Sequence, residues 1–346
     1  MQNASTTPIE QQAKLLPELF RMLQPHMKAL DDYLESQIES YEPEIRDFID
    51  YCIDTSGKRI RPSLIFFSGW QGEEKVVDEL VRVAAVIETV HLATLVHDDI
   101  MDEADIRRNR DTVAKKYGNH TAVLLGDALF SHAVYLATQF PTTEVCRRVA
   151  ESTRKVCTGE ILQTMQRGDP NIDLETYYRV IDLKTAELFN VACYLGAKLA
   201  GNEQKYVEAS GLFGKHLGIA YQIYDDMTDL YGAQEKIGKT LGTDIETGKA
   251  TLPIILMRDR LNGEEATALK ETLAGKRDAD ISHWLKKMKE MGIFDETVET
   301  IFAEIEKARS HLAPYQDSKA AKLLLTLSQL LWNQVVALKS DQTSIS

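Results

Sequence analysis

Residues 81–102 read VRVAAVIETVHLATLVHDDIMD, an apolar run closed by the cluster Asp98-Asp99-Ile100-Met101-Asp102. Neither Pro nor Gly interrupts it, and Ala, Leu, Ile and Val recur at helical spacing, which predicts one long, mostly buried helix. Positions three, four and seven apart share a helical face. Glu88, His91, Leu95, Asp98 and Asp102 therefore fall on one stripe. Polar groups on a buried helix are costly without partners. Asp98 and Asp102, one turn apart, cannot sit together ionised in a dry core, so they face water or a cation.

Alone, such a cluster is most simply a solvated acidic helix end. A second copy changes the reading. Residues 218–229, GIAYQIYDDMTD, form another apolar helical run that ends in Asp225-Asp226-Met227-Thr228-Asp229, with Gln222, Asp225, Asp226 and Asp229 set to one side. Facing each other, the clusters would wall a cavity with six carboxylates. Hard cations with oxygen ligands suit such walls, and Mg²⁺ is typically held by one or two carboxylates together with substrate phosphates. The pattern points to a diphosphate held through metal.

Composition narrows the field. With 346 residues, only nine Pro and 19 Gly, the chain is expected to be mainly helical. The net charge of −13 argues against nucleic acid or an anionic membrane as main partner. Cys52, Cys146, Cys157 and Cys193 show no metal spacing and read as reduced residues of a cytoplasmic protein. The start MQNASTTPIEQQAKLL has no signal-peptide pattern, and no uninterrupted apolar run reaches the ~20 residues of a membrane span.

Along the chain, residues 1–10 read as a frayed tail and 11–53 as two amphipathic helices broken near Pro25 or Pro43. Ser56-Gly57-Lys58-Arg59-Ile60-Arg61-Pro62 is a basic loop opening a helix over 63–70. Lys58 and Arg61 there resemble an anion cradle. Arg107, Arg108 and Arg110 follow the first aspartates closely, either as intrahelix ion pairs or as partners for a diphosphate. Helices are expected over 126–138, 151–166 and 174–200, the last carrying Lys184-Thr185. The stretch 232–253 holds two Gly-Lys pairs, but their spacing fails the P-loop pattern and no strand precedes them. It reads as a flexible loop that places Lys239 and Lys249 over a bound phosphate. No linker divides residues 1–346, which are expected to form a single all-α domain with a central bundle.

Both clusters, GKRIRP, ETVHLATLVHDD, the Arg-Arg pair, KTAELF, YQIYDDMTD and GKATLP together resemble the trans-isoprenyl (polyprenyl) diphosphate synthases, collinearly over roughly residues 50–260. The resemblance implies the isoprenoid synthase helical bundle with a central active-site cavity, usually a homodimer. It implies that isopentenyl diphosphate and an allylic diphosphate are joined with Mg²⁺. Asp98, Asp102 and Asp225 would hold the metal, with Asp99 and Asp229 supporting. Lys58, Arg61, His91 and Arg108 match the isopentenyl diphosphate site. Arg107, Lys184, Thr185, Gln222, Lys239 and Lys249 match the allylic side. Small residues at Ala93 and Thr94, one turn before Asp98, imply a product of four or more prenyl units, unless Ala93 merely packs on a neighbouring helix and Leu129, Phe130 or His132 supplies a bulky floor. The family's Arg-Arg-Gly-x-Pro-Thr stands here as Arg107-Arg108-Asn109-Arg110-Asp111-Thr112, and the ending VVALKSDQTSIS has no arginine.

Rival readings are weaker. Glu88 and His91 form the ExxH unit of di-iron bundles, but no second unit exists. A terpene cyclase shares the fold yet has no need of Lys58, Arg61 and His91, and a farnesyl synthase would place bulk near Ala93. A non-catalytic subunit should have lost aspartates, and this chain keeps all of them. His97 reads as a packing residue or a support behind the cluster rather than a ligand, and Glu88 as orienting His91 or capping a polar path.

Overall fold

A computed structural model describes residues 8–53, 57–232 and 242–344. The layout is helical almost throughout. It begins with α1 (Pro8–Ile38), a 3₁₀ turn, α2 (Arg46–Cys52), α3 (Ile60–Ser68) and α4 (Asp78–Met101). A two-stranded hairpin, β1 (Ile106–Arg107) and β2 (Arg110–Asp111), precedes α5 (Val113–Tyr117), α6 (Asn119–Thr138) and α7 (Thr143–Gln166). Next come α8 (Leu174–Ile181), a π-helical turn over Asp182–Ala186, α9 (Glu187–Leu199) and α10 (Gln204–Tyr231). Six helices close the chain: α11 (Thr243–Glu246), α12 (Leu252–Arg258), α13 (Gly263–Leu273), α14 (Ile281–Glu290), α15 (Ile293–Leu312) and α16 (Lys319–Ser344).

The all-α expectation holds, and the run quoted first is the central helix. α4 packs on α3, α6 and α9, while α10 packs between α9 and α15. Val83, Ala84, Ala85, Val86 and Ile87 are fully buried, so α4 is apolar on nearly every side because it has neighbours on nearly every side. α4 and α6 run antiparallel: His97 meets Val123 at the start of α6, and Arg82 reaches Gln139 at its end.

Of the two breaks allowed for residues 11–53, the chain takes the one at Pro43: α1 passes through Pro25 unbroken, since Leu19, Met22, Leu23, Leu30 and Leu34 bury a continuous face on both sides of it. Two other expectations need correction. α1 also already includes the last three residues of the supposed tail, while residues 1–7 lie outside the described part. Three helices, Asp78–Met101, Asn119–Thr138 and Lys319–Lys339, are long and apolar enough to cross a membrane by length and composition. Counting only unbroken apolar runs missed them. The α4 window is mostly buried among other helices, as a core helix should be.

Candidate active site

The first aspartate cluster owes its shape to the way α4 stops. Glu103 takes a left-handed conformation (φ 50°), its N–H donates to the Ile100 carbonyl at 3.3 Å, and the Ala104 N–H donates to the Asp99 carbonyl at 2.9 Å. These are the two bonds of a Schellman cap, made here without glycine. Successive helical residues point about 100° apart, so the neighbours separate. Asp99 is buried and accepts from Arg107 Nε at 2.7 Å. Asp98 lies 3.8 Å from Lys184 Nζ, and Lys184 also pairs with Glu160 of α7. Burial, with Glu160 and Asp102 adding to it and Lys184 opposing, pushes the Asp98 carboxyl up to about 7. Asp102 is exposed, and its Oδ1 accepts from Arg167 Nη2 at 2.6 Å. Asp99 is thus tied to Arg107 inside the fold.

A basic wall stands beside this cluster. Arg59 opens α3 in a left-handed conformation (φ 48°) and is buried between Glu88, at 2.9 Å, and Asp31, at 3.2 Å. Glu88 therefore anchors Arg59, closer to capping a polar path than to orienting His91. Arg61 lies 5.3 Å over the Phe189 ring, and its Nε finds no hydrogen-bond partner among the described residues. Burial lowers the Arg61 pKa, with Glu88, Tyr221 and Asp98 acting the other way, so its charge is felt by both aspartate-bearing helices. His91 is held well below the usual histidine range by burial and by Arg61, Arg108, Arg107 and Arg59. It is a neutral imidazole in a cationic wall. Lys58 is exposed at the rim.

The substituted arginine turn forms well. Arg107 pairs with Arg110 across the hairpin, and the two residues between them, Arg108 (φ 51°) and Asn109 (φ 62°), are both left-handed. That is the backbone of a type I′ hairpin turn, in which Asn replaces Gly at little cost. The arginines are thus not an intrahelix ladder. A Cβ on Gly57 would stand 2.4 Å from Arg108 Nη1, so the glycine of the basic loop leaves room for this guanidinium. Arg108 therefore joins Lys58 and Arg61, as expected.

The second cluster is reached through the π turn, which breaks the helix expected over 174–200. Extra residues in a helical turn re-aim side chains, often at functional sites. Here Lys184 turns toward Asp98, while Thr185 donates to Gln222 Oε1 at 2.7 Å. Gln222 Nε2 donates to Asp226 Oδ1 at 2.9 Å, and Tyr177 OH donates to Asp226 Oδ2 at 2.7 Å. Lys249 lies 3.3 Å from Asp226 and 3.2 Å from Asp244, which is itself buried. Burial, with Asp226 and Asp229 adding to it and Lys249 opposing, pushes Asp244 up to about 7. Burial alone would lower the Lys249 pKa, but Asp226, Asp244 and Asp225 raise it. Lys249 is thus locked between carboxylates, not poised on a flexible loop, and Lys239 lies outside the described residues. Asp229 accepts from Thr243 Oγ1 at 2.5 Å and from the Asp244 N–H at 3.1 Å. Asp225 is exposed.

Only part of each cluster is open: Asp102 and Asp225 are exposed, Asp98 is half-buried near Lys184, and Asp229 is tied to Thr243 and Asp244. The six-carboxylate wall therefore shrinks, because Asp99 and Asp226 serve inside. Among the described residues no three His, Cys, Asp or Glu side chains converge closely enough to hold a metal ion. These oxygen donors suit a hard cation that completes its shell with water and phosphate. Glu160, Arg167, Tyr177 and Asp244 were missed in the sequence. Asp244 and Tyr177 carry no motif, while Glu160, three residues before Gln163 on an amphipathic helix, left a faint polar stripe.

Behind Asp98, Thr94 Oγ1 donates to its own helix at the His91 carbonyl, at 2.7 Å. Ala93 is fully buried, in an apolar cluster with Ile49, Cys52, Leu125 and Leu129 of α2 and α6. His97 meets the Val123 carbonyl at 3.1 Å and lies 3.6 Å from Asp127, a packing position as expected.

A helical bundle that brings two aspartate-ended helices to one basic gap has the isoprenoid synthase fold. Residues 42–291 match the family described as Polyprenyl synthetase. The octaprenyl diphosphate synthase of Haemophilus influenzae is 31% identical over 91% of this chain and 96% of its own. A polyprenyl synthase of Caulobacter crescentus, solved with calcium and isoprenyl diphosphate, superposes with TM-score 0.83 at 29% identity, covering 91% of this chain and 96% of that one. A decaprenyl diphosphate synthase of Rhodobacter capsulatus superposes with TM-score 0.84 at 30% identity, covering 92% and 99%. The chain belongs to the polyprenyl synthetase family and is, with it, a prenyltransferase.

Proposed function

We propose that the chain joins isopentenyl diphosphate head-to-tail to an allylic diphosphate and repeats the step to give a trans-polyprenyl diphosphate of four or more units. The observation that carries this is the pair of aspartate-ended helices with a cationic wall between them. Asp98, Asp102 and Asp225 would hold Mg²⁺, since their oxygen donors suit a hard cation that completes its shell with water and phosphate. Bound there, Mg²⁺ would act as Lewis acid on the leaving diphosphate. Asp229 supports that side by holding the turn at Thr243, and Asp99 supports its own by holding Arg107.

The chain's own residues do the rest. Lys184 and Arg107 face the allylic diphosphate with Thr185 and Gln222, as preorganised donors for charge that grows as the C–O bond breaks. Lys249 belongs to the same side, where it braces Asp226 and Asp244. Lys58, Arg61 and Arg108 take isopentenyl diphosphate, with neutral His91 adding a hydrogen bond. Apolar α4 keeps water from the allylic cation. The proton lost from the second substrate goes to the released diphosphate, since among the described residues no Ser/His/Asp or Cys/His arrangement supplies a base.

Product length follows from the small residues Ala93 and Thr94 and from relatives named for eight and ten prenyl units. A homodimer is supported by α6, whose Val123, Leu124, Val134 and Tyr135 are exposed beside Ile161 and Met165 of α7. Four free cysteines suit a reducing cytoplasm. The reading is tested by incubating the chain with labelled isopentenyl diphosphate and an allylic primer, with Mg²⁺ or with a chelator. Extractable product is expected only with the metal. Equal product with the chelator would refute it.

A further inference from the structure

Asp102 has a partner that the family motifs do not supply. Arg167 follows the last residue of α7 and places Nη2 2.6 Å from Asp102 Oδ1, while Nη1 donates to the Met101 carbonyl at 3.1 Å. The fork thus grips both a carboxylate and the carbonyl end of α4, which favours a cation. The pair is not buried: the side chains are 33% and 44% exposed, so it can open without a large desolvation cost.

The backbone beneath Arg167 is fixed. The Gly168 N–H donates to the Gly248 carbonyl at 3.1 Å, and a Cβ on Gly248 (φ 71°) would stand 2.4 Å from the Leu273 carbonyl and 3.1 Å from Gly168 Cα. This turn is therefore clamped to the turn that carries Lys249. One short segment touches the first cluster through a side chain and the second through its backbone. A fixed backbone with an exposed guanidinium lets the side chain move alone.

We propose that Arg167 is an exchangeable cation of the active site: it competes with a divalent ion for Asp102 and, once displaced, binds the diphosphate that the ion brings. This rests on the reading that Asp102 is a metal ligand. Coulomb balance gives the reason, since an ion taking the Asp102 oxygen removes the partner of Nη2 at a point where phosphate oxygens arrive. A planar guanidinium suits phosphate, with Nη1 still held at Met101. The rival is a plain tie between the ends of α4 and α7.

The test is calorimetry of the full chain with Mg²⁺ alone, and then with inorganic diphosphate at saturating Mg²⁺, on wild type, Arg167→Gln and Asp102→Asn. Arg167→Gln should bind Mg²⁺ alone roughly two- to fivefold more tightly, the worth of a half-exposed ion pair. It should bind diphosphate about tenfold more weakly, the worth of a charge-assisted bond. Arg167→Lys should fall between. Unchanged or weaker Mg²⁺ binding in Arg167→Gln would overturn the exchange, as would unchanged diphosphate binding beside a lowered melting temperature. Asp102→Asn should lose Mg²⁺ affinity. Wild-type affinity there would sink the metal assignment itself, whereas an Arg167 failure alone leaves it standing.

Discussion

The two aspartate clusters share a sequence pattern but differ in how their side chains are tied. At the end of α4, Asp98 and Asp102 meet Lys184 and Arg167, long cations that can move. At the end of α10, Asp226 is buried under donors from Tyr177, Gln222 and Lys249, and Asp229 holds the turn at Thr243 and Asp244. The first half is thus an adjustable edge and the second a braced one. In both, the middle aspartate turns inward, toward Arg107 in one case and Tyr177 in the other, as helix geometry dictates. Five residues of one motif therefore do two jobs: Asp98, Asp102 and Asp225 are left half-buried or exposed, while Asp99, Asp226 and Asp229 hold the wall.

The largest effects should come from outer carboxylates on both sides. Asp98→Ala and Asp225→Ala are expected to cut turnover by orders of magnitude while circular dichroism and melting temperature stay near wild type. Near-normal turnover in either would break the comparison at its base. Asp226→Ala should behave differently. It removes the acceptor of Tyr177 and Gln222 and one of the two carboxylates at Lys249, so a clear fall in melting temperature, from a loss of about 1–3 kcal/mol in stability, should accompany the loss of activity. A melting temperature like that of Asp225→Ala would show that inner and outer aspartates do not differ.

Arg61→Ala sharpens the account on substrates. Its loss should raise the Michaelis constant for isopentenyl diphosphate by about tenfold or more, with little change for the primer. The reverse result would exchange the two subsites.

How much of this could be read beforehand is itself uneven. α4 was legible because apolar residues on every side with no Gly or Pro leave little alternative, and the double DDxxD marked where both helices end. The inward turn of Asp99 and Asp226 was also within reach of a 100° step per residue, but which neighbour faces in depends on packing. The Arg59–Glu88 pair joins residues from two helices, and no spacing rule connects them. Nor does local preference announce the π turn over Asp182–Ala186, whose Lys184 and Thr185 meet opposite clusters. The turn at Arg108 and Asn109 was harder still, because two left-handed residues stand where glycine was the cue.

A smaller effect concerns the braced half under acid. Glu304 of α15 accepts from His216 of α10 at 2.8 Å and pairs with Lys307. Burial would raise its pKa, but bonds from His216 and Lys307 outweigh this and lower it from the ordinary 4.5. A lowered carboxylate stabilises the fold above its unfolded value, and that contribution fades as pH falls through the folded value. Below pH 4.5, amide exchange should therefore rise in α10 and α15 before α4. Glu304→Gln should remove the difference, and equal exchange in α4 and α10 would contradict it.

Sizing the dephosphorylated products of the wild-type chain, given isopentenyl diphosphate in excess, an allylic primer and Mg²⁺, tests the central claim most directly. The account predicts trans-polyprenyl alcohols of at least four units, and shorter ones when Ala93→Phe places a ring behind Asp98. Farnesol as the wild-type end product, or no elongation of the primer, would contradict it.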